Sequence, residues 1–130
     1  MKVDVVELDQ WSRPSGYSHA TIAEGRFIFV SGQLGQDNVK EKLEGDFLSQ
    51  VGQALKNVAE ILYEAGSCPK NIVRMTWYVL DKRNYIAERK AIGSLYKNII
   101  GGVYPAMTLI EVGGLLADGA TVEIEVTAVI

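Results

Sequence analysis

Apolar and polar positions run along this chain with two different periods, and each change of period marks a new element. Phe47, Val51, Ala54, Leu55, Val58, Ile61, Leu62 and Ala65 recur at spacings of three and four. Gln50, Gln53, Lys56, Asn57, Glu60 and Glu64 fill the positions between them. That period predicts an amphipathic helix packed on one side. Asp46 stands where an N-cap belongs, Gly66 where a helix-ending glycine belongs, and Pro69 prevents resumption. Residues 85–100 repeat the period, with Ile92, Leu95, Tyr96, Ile99 and Ile100 inward, and Gly101-Gly102 ends it. Residues 3–8, 17–23, 27–30, 74–80, 107–112 and 120–129 read as strands. In the last of these, Val122, Ile124, Val126 and Ala128 alternate with Thr121, Glu123, Glu125 and Thr127. Phe27-Ile28-Phe29-Val30 is continuously apolar, as a strand covered on both faces would be, and Ser31-Gly32-Gln33 ends it. Residues 13–16, 24–25 and 81–84 read as turns, and the polar residues 34–45 as a loop.

The order predicts an α+β fold: a mixed sheet with two helices on one face. Several strands are apolar on both sides, and the chain has no third helix to cover the second side. A homo-oligomer that packs sheets together is the economical cover. The length, 130 residues, predicts one domain spanning residues 1–130.

Charge narrows the partners. Sixteen acids against thirteen bases give a net charge of −3, which argues against a nucleic-acid partner. No apolar run approaches the roughly 20 residues of a membrane span. The first ten residues carry acids where a signal peptide needs an apolar stretch, so cytoplasm is the expected compartment. A single cysteine excludes an internal disulfide and a multi-cysteine zinc site; a single histidine excludes any site needing two. No phosphate-binding loop, dinucleotide fingerprint or nucleophile elbow is present.

The remaining chemistry-bearing residues each carry two readings. Cys68 lies just past a helix end near Lys70 and Arg74, and reads as an incidental thiol because activation needs a specific partner. His19 is either a lone general base or a hydrogen-bonded structural imidazole. Glu123 and Glu125 share one strand face, about 6.5–7 Å apart. They are either a solvated face or carboxylates in an interfacial cleft, where burial raises a carboxyl pKa and fits it to shuttle protons.

Four blocks together resemble the YjgF/RidA family, older name the L-PSP endoribonuclease family: Gly16-Tyr17-Ser18-His19-Ala20, Phe29-Val30-Ser31-Gly32-Gln33, Tyr104-Pro105-Ala106-Met107-Thr108 and Val122-Glu123-Ile124-Glu125. The likeness runs in order from about Tyr17 to Val129. It implies a chorismate-mutase-like fold, a homotrimer whose sheets form a central barrel, and three clefts between subunits. The best-studied branch hydrolyses reactive enamines and imines to 2-oxo acids and ammonia, without metal or cofactor. By the resemblance, Tyr17 is the pocket tyrosine, Ser31 and Gly32 help hold ligand, and Glu123 positions water. Few histidines and cysteines suit such a site.

The sequence departs from the family at its central arginine, where Met107 stands. A guanidinium grips a carboxylate through paired charged hydrogen bonds. Losing bonds worth about 1.5–3 kcal/mol each lowers affinity roughly 10²–10⁴-fold. Leu109 occupies a position that is often cysteine, and alternation points it into the same cleft as Met107. Arg89 aligns with a family asparagine at the cleft border; it is either a displaced guanidinium or an ordinary helix-surface arginine. Three readings of function follow. The first is hydrolysis of an imine, enamine or related small metabolite, with specificity altered by Met107. The second is a non-catalytic small-molecule-binding or regulatory homotrimer. The third, RNA cleavage, is disfavoured by the acidic chain and the lone histidine.

Overall fold

The computed structural model describes residues 2–130; Met1 lies outside the described residues. Twelve elements follow one another among the described residues. Strands β1 (Val3–Val6) and β2 (Ala20–Ala23) form an antiparallel pair. Next come β3 (Phe27–Leu34), the two-residue strands β4 (Gln36–Asp37) and β5 (Lys42–Leu43), and helix α1 (Phe47–Glu64). A single 3-10 turn, Pro69–Asn71, leads into β6 (Ile72–Val79). Helices α2 (Lys82–Ala87) and α3 (Arg89–Ile99) are followed by β7 (Ala106–Glu111) and β8 (Val122–Val129).

The main sheet has the order β3-β8-β6-β7. Its β6–β7 pair is parallel and the other pairs are antiparallel, so the sheet is mixed and the fold is α+β. Helices α1 and α3 lie on one face. Between them and the sheet, Val51, Leu55, Val58 and Leu62 meet Met75, Trp77, Val122 and Ile124, all buried. Among the described residues no helix is long and apolar enough to cross a membrane.

Local chemistry fixes the ends of α1. The Asp46 carboxylate accepts from the backbone N–H of Ser49 at 2.7 Å. At the other end Gly66 adopts φ +84, a left-handed conformation that costs glycine nothing. This turns the chain so that the N–H groups of Gly66 and Ser67 reach the carbonyls of Tyr63 and Leu62, at 3.1 and 2.8 Å.

Several expectations change in detail. Gln50 and Asn57, assigned by periodicity to the polar side of α1, are buried. They are satisfied there by backbone. The Gln50 amide nitrogen donates to the carbonyls of Glu44 and Gly119, both at 3.0 Å. Its oxygen accepts from the N–H and hydroxyl of Thr121, at 2.8 and 2.9 Å. Asn57 donates to the carbonyls of Leu34 and Gln36, at 3.2 and 2.8 Å. A periodicity argument counts polarity and cannot see loop carbonyls that need donors.

The predicted helix over 85–100 is two helices, and the turn over 81–84 belongs largely to the first. Asp81 accepts from the N–H of Arg83 and starts α2, and the backbone of Glu88 (φ −111, ψ 20) breaks it from α3. The loop over 34–45 contains the β4–β5 pair. Strand β2 begins only at Ala20; upstream, Ser18 makes an isolated parallel bridge to Ala106. Strand β3 does not end at Ser31-Gly32-Gln33: a bulge between Val30 and Gln33 carries it on to Leu34. Nor is β3 covered on both faces within the chain. Val30 is buried against the helices, but Phe27 is 55% and Phe29 79% exposed on the other side.

Candidate functional site

Register decides which candidate residues meet. Met107 pairs with Met75 and Leu109 with Trp77 across β6–β7. Met75 and Trp77 are core residues under the helices, so Met107 and Leu109 share that face. On β8, Ile124 pairs with Trp77, while Glu123 pairs with Tyr78. Glu123 therefore points to the opposite face of the sheet.

On the helix side, Tyr17, Arg89, Met107 and Leu109 line one cavity of about 520 Å³. Residues 15–17 and side chains of α2, α3, β6 and β7 contribute to its lining. Sequence reasoning brought these four residues together and missed the aromatic walls, Trp77, Tyr85, Tyr96 and Tyr104. Trp77 and Tyr85 stand edge-to-face with ring centroids 6.0 Å apart, and Tyr96 stacks on Tyr104 at 5.4 Å. The Tyr96 hydroxyl donates to the Val103 carbonyl at 2.7 Å. Burial pushes the Tyr96 phenol well above its ordinary range, with the neighbouring Tyr104 adding to the shift. Burial also raises Tyr85, opposed by the positive charge of Arg89. Arg89 is the only ionic side chain lining this cavity.

On the opposite face, Glu123 and Gly32 lie in contact. A methyl group built on Gly32 would come within 2.1 Å of the Glu123 Oε1. Glycine here gives the carboxylate room for this close approach, and its backbone angles do not call for glycine. The neighbouring Ser31 hydroxyl and carbonyl face the Gln33 amide, at 3.4 and 3.1 Å. Glu125 is engaged differently: it accepts from the Tyr78 hydroxyl, and that carboxylate raises the phenol's pKa. Of the two glutamates considered together in the sequence, Glu125 is tied to a tyrosine and Glu123 is packed on a glycine.

The seven candidate residues thus form two groups. Tyr17, Arg89, Met107 and Leu109 lie on the helix side; Ser31, Gly32 and Glu123 lie on the open side. One chain does not bring the two groups into one site. His19 does not line the helix-side cavity but lies beside Tyr17, edge-to-face with it at 5.5 Å and with Trp11 at 5.0 Å. Cys68 is half-buried at the start of the 3-10 turn. Among the described residues no cluster of three or more His, Cys, Asp or Glu side chains is placed to hold a metal ion.

A family model described as Endoribonuclease L-PSP matches residues 11–130. The chain belongs to the YjgF/RidA family. A RutC family protein of Aquifex aeolicus is 38% identical over 113 residues, 87% of each chain. A protein of Capra hircus named 2-iminobutanoate/2-iminopropanoate deaminase is 35% identical over 114 residues, 87% of this chain and 79% of its own. Among solved structures, the Rid family protein YyfB of Yersinia pestis, titled a protein of unknown function, superposes with a TM-score of 0.85. It is 33% identical, and the match covers 100% of both chains. The family model begins at Trp11, so β1 lies before the matched residues and strands β2 to β8 lie within them.

Proposed function

We propose that this Rid protein hydrolyses a reactive imine or enamine to a 2-oxo acid and ammonia, at clefts between the copies of a cytoplasmic homotrimer. The observation that carries the reading is the division of the candidate residues between the two faces of one sheet. A cleft between copies joins the carboxylate half of one chain to the cavity half of the next. The exposed Phe27 and Phe29 supply apolar surface for that association. The deaminase name of the Capra hircus relative points to the same reaction class.

The chemistry asks for little. Water adds to the imine carbon, so a C–O bond forms as the C=N π electrons move to nitrogen. Glu123 takes a proton from that water and passes it to the nitrogen. The carbinolamine then collapses: its hydroxyl proton passes by way of Glu123 to the nitrogen, the oxygen's electron pair forms the C=O bond, the C–N bond breaks, and ammonia leaves the 2-oxo acid. The site needs no cofactor in this scheme. Tyr17 and the Ser31-Gly32 backbone hold the substrate. Met107 in place of the family arginine shifts recognition toward less acidic or more apolar substrates.

Met107 also favours a second reading, a small-molecule-binding or regulatory trimer without catalysis, since a thioether cannot grip a carboxylate. One experiment separates the two. 2-Iminopropanoate is generated in situ and its decay followed with and without protein. Hydrolysis predicts acceleration that Glu123→Gln lowers at least 10²-fold, in line with the usual contribution of a general base. No acceleration by a protein that sizes as a trimer favours the binding reading.

A further inference from the structure

The cavity of about 520 Å³ is rich in aromatic side chains. Trp77, Tyr85, Tyr96 and Tyr104 line it together with Met107 and Leu109. Its volume falls in the range, roughly 300–1,000 Å³, of pockets that bury drug-sized ligands. Arg89 provides a single positive charge at the start of α3.

Gly93 supplies an independent observation. It sits in the interior of α3 and lines the same cavity. A methyl group built on it would meet nothing within 4 Å, and its φ is not positive. Neither packing nor backbone geometry requires glycine there. A glycine inside a helix nevertheless costs roughly 0.5–1 kcal/mol relative to alanine. It leaves open space at that point of the helix, among the residues that line the cavity.

We infer that the cavity takes the side chain of an aromatic 2-imino acid, with the Arg89 guanidinium receiving its carboxylate and the ring lying among Trp77, Tyr85 and Met107. The inference rests on the reading of this cleft as the substrate site of an imine hydrolysis. Aromatic pairs at centroid distances of 4.5–7 Å add to simple area burial. The Met107 thioether adds a sulfur–aromatic contact that an arginine would not. The residue that weakens the grip on a small acid is therefore a favourable neighbour for a ring.

The test compares two imines made in situ by an amino-acid oxidase, 2-imino-3-phenylpropanoate and 2-iminopropanoate. Calorimetric binding of phenylpyruvate is measured alongside. The unaltered protein is expected to show a kcat/KM for the phenyl compound about ten-fold or more above that for the methyl compound, the scale set by filling an apolar pocket. Gly93→Leu, which keeps a good helix former in α3 and fills the wall, lowers that ratio at least ten-fold and weakens phenylpyruvate binding. Arg89→Ala weakens phenylpyruvate binding as well. Equal or inverted preference, or a ratio and binding unmoved by Gly93→Leu, overturns the inference. If neither imine is accelerated but phenylpyruvate binds and Gly93→Leu abolishes the binding, the aromatic site stands and the hydrolytic reading falls. If phenylpyruvate does not bind and only the methyl imine is hydrolysed, hydrolysis stands and the aromatic site falls.

Discussion

The contact between Gly32 and Glu123 makes a sharp test of the carboxylate's role. Gly32→Ala places a methyl carbon 2.1 Å from Oε1, 2.8 Å from Cδ and 2.9 Å from Cγ of Glu123. Non-bonded heavy atoms prefer about 3.5–4.0 Å. The carboxylate must therefore retreat by about 1 Å or more. The end of a glutamate side chain yields readily, so the fold bears little of this. An off-rotamer side chain costs about 0.5–1.5 kcal/mol, and replacing glycine by alanine at an unstrained position returns about 0.4–1 kcal/mol through the unfolded state. The two nearly offset, and the thermal midpoint should stay within about 5 °C of the parent. Catalysis is far less forgiving. A displacement of about 1 Å costs on the order of 10²-fold, which is about 2.7 kcal/mol of barrier. The assay is the steady-state decay of an imine generated in situ, with thermal unfolding run on the same preparation. A kcat within two-fold of the parent would refute the assignment of Glu123 as the group that activates water. A large loss of midpoint would instead show that Gly32 serves the fold.

Three further outcomes follow from the hydrogen bonds. Gln50→Leu keeps the volume but strips partners from the Thr121 N–H and from the carbonyls of Glu44 and Gly119; denaturant unfolding should show a loss of about 3 kcal/mol or more, from 1–3 kcal/mol per abandoned group. Tyr96→Phe removes the bond to Val103 and should cost about 1 kcal/mol at neutral pH. Because the folded state raises the Tyr96 pKa, its neutral form contributes stability that is complete below the ordinary tyrosine value of 10.0 and is lost as pH rises above it. The variant's stability should therefore fall less steeply than the parent's in alkaline solution, as read from melting temperature against pH. Asp46→Ala removes the α1 cap; the bonded carboxylate is held below its ordinary value of 3.8, so the contribution is present above that pH and lost in more acidic solution. Melting temperatures of parent and variant should differ at pH 7 and converge as the pH falls well below 3.8.

How much was legible in the sequence differs between helices, strands and site. The α1 cap at Asp46 and the stop at Gly66 are local chemistry, and both stand where the sequence placed them. Gln50 and Asn57 were misread because their partners, Gly119 and Leu34 among them, are remote in the chain. The break at Glu88 left no sequence signal, since no proline or glycine marks it. Tyr17, Met107 and Leu109 were placed in one cleft by family resemblance and alternation, and they line one cavity. Trp77 and Tyr85 were missed because finding them needs the parallel β6–β7 register, which follows from the crossover through α2 and α3 and not from either strand alone. The separation of Glu123 from Met107 was equally hidden: each strand shows its own alternation, and only pairing shows which faces coincide.

That pairing also shapes how such a protein changes over evolutionary time. Residues 107 and 109 press on the helices, while residue 123 looks the other way, so the sheet backbone stands between them. Within one chain, a substitution at 107 or 109 repacks against Trp77, Tyr85 or Ile92 without touching that chain's own Gly32 or Glu123. Selection can therefore rework the shape of the pocket one side chain at a time while the carboxylate keeps its seat. In this sheet the pleat itself acts as insulation between the two faces of a chain, and a methionine where the family resemblance implies an arginine is the kind of change such insulation permits.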